Sequence, residues 1–176
     1  MDITAQTAHG FQLSEFRDHC RIPSSWSEND PSLQRSLDGA VSLWEVSTNW
    51  YLRATTIEIA ILPGMSVPFG PSPTLTSVAR NQYGVLVSTV TTEWYIKRRW
   101  GARAFGQTAT GTWSPAYEYI ATMQVPGSVT PAVKAGVFDL GHHLFQDRRG
   151  VIEGVTPADV PLSLRTILTN HQLGGL

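Results

Sequence analysis

The chain has 176 residues, a formal net charge of −1 and one cysteine, Cys20. A charge this close to zero gives no general attraction to nucleic acid or to an anionic membrane, and a single cysteine excludes an intrachain disulfide and a multi-cysteine zinc site. Charged residues make up only 15% of the chain, against roughly a quarter in an average protein, which indicates a surface partly covered by partners.

The N-terminal segment has no basic region followed by an apolar run, and no apolar run approaches the ~20 residues that span a bilayer. We therefore expect a soluble protein without a signal peptide or membrane contact, made in the cytoplasm. Residues 1–10 are predicted to form a loose polar lead, and residues 13–20 a short helix.

Asp30-Pro31 predicts the start of a second helix, because Asp can cap a helix and Pro fits its first position. Six residues recur at the helical period and therefore share one face of this helix. They are Leu33, Leu37, Ala40, Val41, Trp44 and Thr48. This is the clearest amphipathic helix in the sequence.

After Tyr51 the apolar residues recur at every second position instead of at the helical period, which predicts strands. In the first of them Thr55, Ile57, Ile59 and Ile61 share one face. Further strands are predicted at 75–79, 85–90, 93–100 and 117–125. They are separated by a proline-rich loop at 63–73, a turn at 81–84 and a loop or hairpin tip at 101–114.

The stretch 129–150 predicts the central helix of the fold, with Thr130 as cap and Pro131 at its first position. Two apolar stripes run along it: Val133, Val137, Leu140 and Leu144, and Phe138, Gly141 and Phe145. So wide an apolar surface must be covered on more than one side, which we interpret as cover from its own chain and from neighbouring copies. Gly136 and Gly141 each cost about 1 kcal/mol of helix propensity and indicate an element packed close to the backbone.

A last helix is predicted at 160–172, with Asp159 as cap, followed by the short tail LGGL. The predicted fold class is α+β, mainly α: a four-helix bundle with a β-strand insertion between the second and third helices. We expect one domain, 1–176, with a helical body at 11–52 and 128–173 and a β insertion at 53–127.

Several segments with packing residues in a fixed order carry a resemblance to a known family. They are DPSLQRSLDGAVSLWEVSTNWYL, the strand ending in ILPG, PSPTLTSVARNQYG, VPGSVTPAVKAGVFDLGHHLFQDRRG and VPLSLRTILTNHQL. Together they resemble the head–tail connector (adaptor) proteins of tailed bacteriophages, over nearly the whole chain from Leu13 onward. The chain departs from the family at 85–115, which is longer and richer in Trp and Arg.

The resemblance implies a structural virion protein, not an enzyme, that forms a ring, typically a dodecamer, in the neck between head and tail. Its partners would be the portal protein above, a stopper or tail-terminator protein below, and packaged DNA that passes through the channel without sequence specificity. It implies no cofactor and no metal. The protein would reside in the virion after assembly in the host cytoplasm.

On this basis we expect two kinds of protein interface. The portal contact is expected on the last helix and tail, at Leu168, His171, Leu173 and Leu176. Subunit contacts are expected on the second and central helices and beside the glycine-rich loop, at Trp44, Phe138, Phe145, Trp100 and Trp113.

Lys97, Arg98, Arg99 and Arg103 form the one basic cluster of the sequence. Such a cluster suits contact with DNA phosphates along a channel or with an acidic patch on a neighbour. The alternative is a solvated strand end whose aliphatic stems cover the nearby tryptophans.

His142 and His143 suggest a metal site at first sight. However, adjacent helical residues point about 100° apart, so the two cannot bind one metal from the same face. His143 and Asp147 could share a face, but a third ligand would have to come from elsewhere. Packed or interface histidines are the favoured interpretation.

Two alternatives to the connector stay open. One is another neck component, a stopper or tail-completion protein. The other, from a different class, is a small metal-dependent enzyme that uses His142, His143 and Asp147. The sequence contains no phosphate-binding GxxxxGK[ST] loop and no GxSxG elbow, so no common enzyme motif supports the second.

Overall fold

The computed structural model describes residues 2–67, 70, 72–99 and 106–146, with the backbone alone at 97–99 and 106–108. The elements in chain order are β1 (Asp2–Gln6), α1 (Leu13–His19), α2 (Asp30–Thr48), β2 (Thr55–Ala60), β3 (Thr74–Gln82), β4 (Val85–Thr89), β5 (Trp94–Arg99), β6 (Gly106–Gly111), β7 (Glu118–Val125) and α3 (Pro131–Gln146). None of the helices in this part of the chain is long and apolar enough to cross a membrane.

The described residues divide into a sheet unit, residues 2–8 and 53–128, and a helical unit, residues 9–52 and 129–146. The helical unit has one apolar core, formed by Phe11, Phe16, Leu33, Leu37, Ala40, Val41, Trp44, Leu52, Val133, Val137, Phe138 and Leu140.

The sequence predicts the capping residues of two of the described helices, and the structure confirms one of them. Thr130 caps α3 as predicted, since its Oγ1 accepts a hydrogen bond from the Val133 N–H at 3.3 Å. The prediction that Asp30 caps α2 is wrong, because Asp30 is the first residue of that helix and its carboxylate pairs with Arg17.

The sheet unit contains an antiparallel sheet of five strands in the order β1-β2-β7-β3-β4. Alternate residues bury one face of this sheet: Ile57, Ile59, Val78, Tyr119, Ala121, Met123 and Val125. β5 and β6 form a separate two-stranded sheet. Its Trp94 ring lies against Tyr119, with the ring centroids 5.3 Å apart.

The predicted four-helix bundle, mainly α, is wrong. The described part of the chain holds three α-helices and seven strands, most of them in one antiparallel sheet. Two strands lie where none is predicted: β1 in the polar lead and β6 in the predicted loop at 101–114. All five residues of β1 are exposed, so no alternation of apolar residues marks it. The predicted fourth helix, 160–172, lies outside the described residues.

α3 is covered on more than one side within its own unit. Its Phe138 ring lies 5.8 Å from the Phe11 ring and 5.4 Å from the Phe16 ring, centroid to centroid. Six of its residues are buried: Val133, Gly136, Val137, Phe138, Leu140 and Gly141. The apolar width of α3 therefore does not by itself require a neighbouring copy.

Candidate assembly surfaces

The five predicted subunit-contact residues lie in different environments. Trp44 and Phe138 are 1% and 5% exposed, so both side chains belong to the helical core. Phe145 is half-buried against that core, and Trp113 is 45% exposed. Trp100 lies outside the described residues. Of the five, only Phe145 and Trp113 have surface that a neighbouring chain could cover in the described structure.

The basic cluster begins on a strand. Lys97, Arg98 and Arg99 are the last residues of β5, and their backbone pairs with β6 opposite Thr108, Gln107 and Gly106 respectively. A regular ladder therefore fixes the backbone from which these three cations extend. The fourth member, Arg103, lies outside the described residues.

The predicted portal contact, at Leu168, His171, Leu173 and Leu176, falls entirely outside the described residues. The structure therefore provides no geometry for this interface.

The histidines of α3 belong to the helical unit. His142 contacts the Gln146 side chain and meets the His19 ring edge-on, with the centroids 6.2 Å apart. His19 Nε2 in turn lies 3.0 Å from an Asp139 carboxylate oxygen. No group of three His, Cys, Asp or Glu side chains in the described ranges is arranged to hold a metal ion. Asp147, the third residue of the metal-enzyme alternative, lies outside them.

Ion pairs and burial set the electrostatics of α1. Lys134 Nζ donates a hydrogen bond to Glu15 Oε1 at 2.7 Å, and this bond holds the pKa of the Glu15 carboxyl below its ordinary value. The same helix leads into Cys20, where burial raises the pKa of the thiol to about 11. A thiol with so high a pKa is almost wholly protonated at neutral pH and is a poor nucleophile.

The C-terminal end of α2 depends on a buried carboxylate that the sequence analysis did not single out. Glu45 is 4% exposed, and its Oε1 accepts a hydrogen bond from the Leu52 N–H at 2.9 Å. The helix stops at Asn49, whose φ of 55° is left-handed. Burial, and after it the charge of Glu45, raises the pKa of Tyr51. A glutamate on the apolar side of a helical pattern is the sequence signal for such a site.

The β3–β4 hairpin carries an exposed apolar surface that sequence reasoning also missed. We call residues 82–87 the hairpin tip. Its turn residues Tyr83 and Gly84 have φ values of 51° and 77°, and Gln82 pairs directly with Val85, which is the two-residue turn with both φ values positive. Four side chains are widely exposed: Tyr83 at 96%, Val85 at 67%, Leu86 at 62% and Val87 at 48%. The run Val85–Val87 gives no sequence signal of this exposure, because consecutive apolar residues are typical of a buried strand.

A depression lies at the other end of the same sheet, and we call it the sheet pocket. It has a volume of about 490 Å³. Its lining combines apolar groups with hydroxyls and amides and comes from Ala5, Gln6, Thr7, Ala54, Thr55, Thr56, Thr74, Gln124, Val125 and Pro126. Strands β1, β2, β3 and β7 all contribute to it.

Solved structures of similar fold come from gene transfer agent (GTA) particles. A chain of the virion of the native GTA particle matches with a TM-score of 0.71 and 16% sequence identity, covering 100% of this chain and 97% of that chain. A chain from the neck of the empty particle, computed with C6 symmetry, has a TM-score of 0.70 and 17% identity, with the same coverage. A chain from the neck of the native particle, computed with C12 symmetry, has a TM-score of 0.68 and 16% identity, again with that coverage. No protein-family model and no curated protein matches the sequence.

Proposed function

We propose that this protein is a structural component of a virion neck, an adaptor that forms a ring between the portal and the tail or stopper. In this role the ring extends the DNA channel and completes the filled head. It acts by binding and shape, without catalysis and without a cofactor.

The observation that carries the proposal is the likeness in fold along the whole chain. Two of the similar chains come from necks computed with C6 and C12 symmetry. Symmetry of this kind repeats identical subunits around an axis, and it supports a homo-oligomeric ring for this chain. The head–tail connector resemblance in the sequence independently points to the same part of the particle.

Three sets of residues would serve this role. The portal contact would use Leu168, His171, Leu173 and Leu176. Phe145, Trp100 and Trp113 would contribute to contacts between subunits, whereas the burial of Trp44 and Phe138 gives those two a role in the core that supports such contacts. Lys97, Arg98, Arg99 and Arg103 would face the phosphates of DNA in the channel or an acidic patch on a neighbour, since cations on a fixed strand can do either without reading sequence.

A stopper or tail-completion protein is the second candidate. We expect such proteins to be dominated by a β-barrel with little helix, so the antiparallel sheet supports this candidate and the three α-helices of the described residues count against it. The two candidates differ in what they bind. An adaptor binds the portal directly, whereas a stopper binds a portal that already carries its adaptor.

The test uses the purified full chain and the portal protein of the same particle, with no other neck protein present. Mass measurement of the mixture is expected to show one complex of a portal ring with a complete ring of this chain. The major capsid protein of that particle, in place of the portal, is the control and should give no complex. If this chain does not bind the portal alone but does bind a portal that carries other neck proteins, the adaptor assignment is wrong and the stopper assignment takes its place.

A further inference from the structure

The hairpin tip projects beyond the neighbouring strand of its sheet. The pairing of β7 with β3 begins at Glu118 opposite Asn81, so within the described residues no strand lies beside Gln82 on the β7 side of β3. β4 is the edge strand on the other side. Val85 and Leu86 are consecutive strand residues and so point to opposite faces, and both are widely exposed, so side chains on both faces of the tip are accessible.

The composition of the tip is unusual for an exposed edge. The segment from Tyr83 to Thr89 contains no charged residue and no proline, although edge strands are commonly protected by both. A contiguous apolar surface of this kind marks a site of protein–protein contact. Since both faces are bare, a cleft that encloses the tip covers it better than a flat surface does.

The sheet pocket is such a cleft, and it lies at the opposite end of β3. Thr74, in the pocket lining, is the first residue of this strand, and Gln82, in the tip, is its last. At about 3.3 Å per residue, the eight steps between them span roughly 26 Å. A tip therefore cannot fill the pocket of its own sheet.

The contacts of a closed ring run head to tail, so each subunit needs two different surfaces, one that inserts into a neighbour and one that accepts the other neighbour. The hairpin tip and the sheet pocket meet this need from opposite ends of one sheet. We propose that the hairpin tip of one copy inserts into the sheet pocket of the next, with the Tyr83 side chain as the inserted group. This inference rests on the proposed function, since it assumes a ring of identical chains.

The chemistry of the two surfaces is complementary. The ring of Tyr83 would bury apolar area against Ala54 and Pro126, which are both exposed, and its hydroxyl would meet the polar groups of a lining that includes Thr56 and Gln124. Tyrosine suits this task because it couples a large apolar body with one polar end. A volume of about 490 Å³ lies within the range of pockets that enclose ligand-sized groups, roughly 300–1,000 Å³.

Tyr83→Asn is the sharpest variant for a test. Asn tolerates a positive φ, and Asn-Gly is a preferred pair for this turn, so the hairpin should keep or gain stability while it loses the inserted ring. Tyr95→Asn is the matched control, because Tyr95 is another tyrosine of the sheet unit that is 57% exposed. We expect Tyr83→Asn to weaken ring formation on the portal about tenfold or more, as for a central aromatic contact, and Tyr95→Asn to leave it unchanged.

Cross-linking tests the direction of the contact. In a Cys20→Ser background, the double variant Tyr83→Cys/Thr74→Cys, assembled on the portal and treated with a short bis-maleimide, should give a ladder of covalent oligomers well beyond the dimer. Each single-cysteine variant can give dimers at most.

The outcomes separate the inference from the proposed function. If wild-type chains assemble on the portal but Tyr83→Asn assembles equally well, or the double variant gives no ladder, the tip-in-pocket contact is wrong and the ring stands. If wild-type chains form no ring with the portal, both are wrong.

Discussion

The Phe16 ring lies so close to Gly141 that only a glycine fits there. A β-carbon on residue 141 would come 2.9 Å from Phe16 Cζ and 3.0 Å from Cε2. Phe16 is completely buried, so its ring has little freedom to move away. This contact explains why α3 carries a glycine that weakens its helix propensity: the residue lets α1 pack against the backbone of α3.

We expect Gly141→Ala to destabilise the protein by about 1–3 kcal/mol, as overpacking of a tight core does. Gly39→Ala is the matched control, since its β-carbon would meet only Leu144 Cδ1 at an ordinary 3.6 Å. That change should stabilise α2 by up to about 1 kcal/mol, because alanine favours a helix over glycine. Urea unfolding of both variants measures the difference, and a loss of equal size in the two would contradict the role of Phe16.

Gly111→Ala should damage the sheet unit more severely. A β-carbon at residue 111 would lie 2.2 Å from Trp94 Cδ2 and 2.5 Å from Trp94 Cγ, and Trp94 is 4% exposed. We expect a loss of about 3 kcal/mol, at the upper end of overpacking effects, together with a changed near-ultraviolet circular dichroism signal from the displaced indole. Gly10→Ala, with nothing within 4 Å of the added carbon, should change neither measurement.

Glu45→Ala should destabilise the protein by about 1–3 kcal/mol, because it leaves the buried Leu52 N–H without its acceptor. Glu45→Gln keeps an acceptor oxygen at the same distance along the side chain and should cost distinctly less. Urea unfolding of the two variants provides the comparison. If alanine and glutamine gave the same loss, the hydrogen bond at 2.9 Å would not be what stabilises the end of α2.

Stability should fall at alkaline pH. The Cys20 thiol has an ordinary pKa of 9.0 and a folded pKa of about 11, so the unfolded chain loses this proton first. The contribution is complete below pH 9 and is lost as the pH rises through 11. Tyr51, whose pKa is also raised, acts in the same direction. We expect unfolding measured from pH 8 to 11 to show a shallower decline for Cys20→Ala than for the wild type; parallel curves would contradict the assignment to this thiol.

Removal of the tail after Gln172 should abolish docking on the portal while the fold survives. The reason is that Leu173 and Leu176 form the end of the predicted portal contact and are apolar groups suited to a partner's groove. Binding of the truncated chain to purified portal measures the first effect, and far-ultraviolet circular dichroism the second. Leu173→Ala/Leu176→Ala in the full-length chain is the milder companion variant. Unchanged docking of both would place the portal contact elsewhere.

The long elements could be predicted because their own residues carry the period. α2 was expected from Asp30 and spans Asp30–Thr48, and the alternation from Thr55 to Ala60 correctly marks β2. The glycine of α3 that indicates close packing, Gly141, does have Phe16 against it. In each case burial on one face leaves a regular trace in the sequence.

The sheet edges could not be predicted for the same physical reason. β1 is exposed along its whole length and pairs with a strand about fifty residues later through its backbone, so its side chains reveal little. The tip at Val85–Val87 has the residues of a buried strand although it lies exposed. The pattern of side chains in a segment reflects what those side chains pack against. It does not reveal which strands pair through their main chains, or which surfaces other chains cover.

The order of strands also bears on how the chain is made. β7 occupies the middle of the sheet, between β2 and β3, yet it is the last of the seven strands to leave the ribosome. Since chains are synthesised at about 5–20 residues per second, several seconds pass before β7 follows β4. During this time β2 and β3 lack the strand that pairs with both of them. A slow translation stretch between β4 and β7 would prolong that exposure and favour aggregation, whereas a chaperone that holds nascent β-strands would favour the finished sheet.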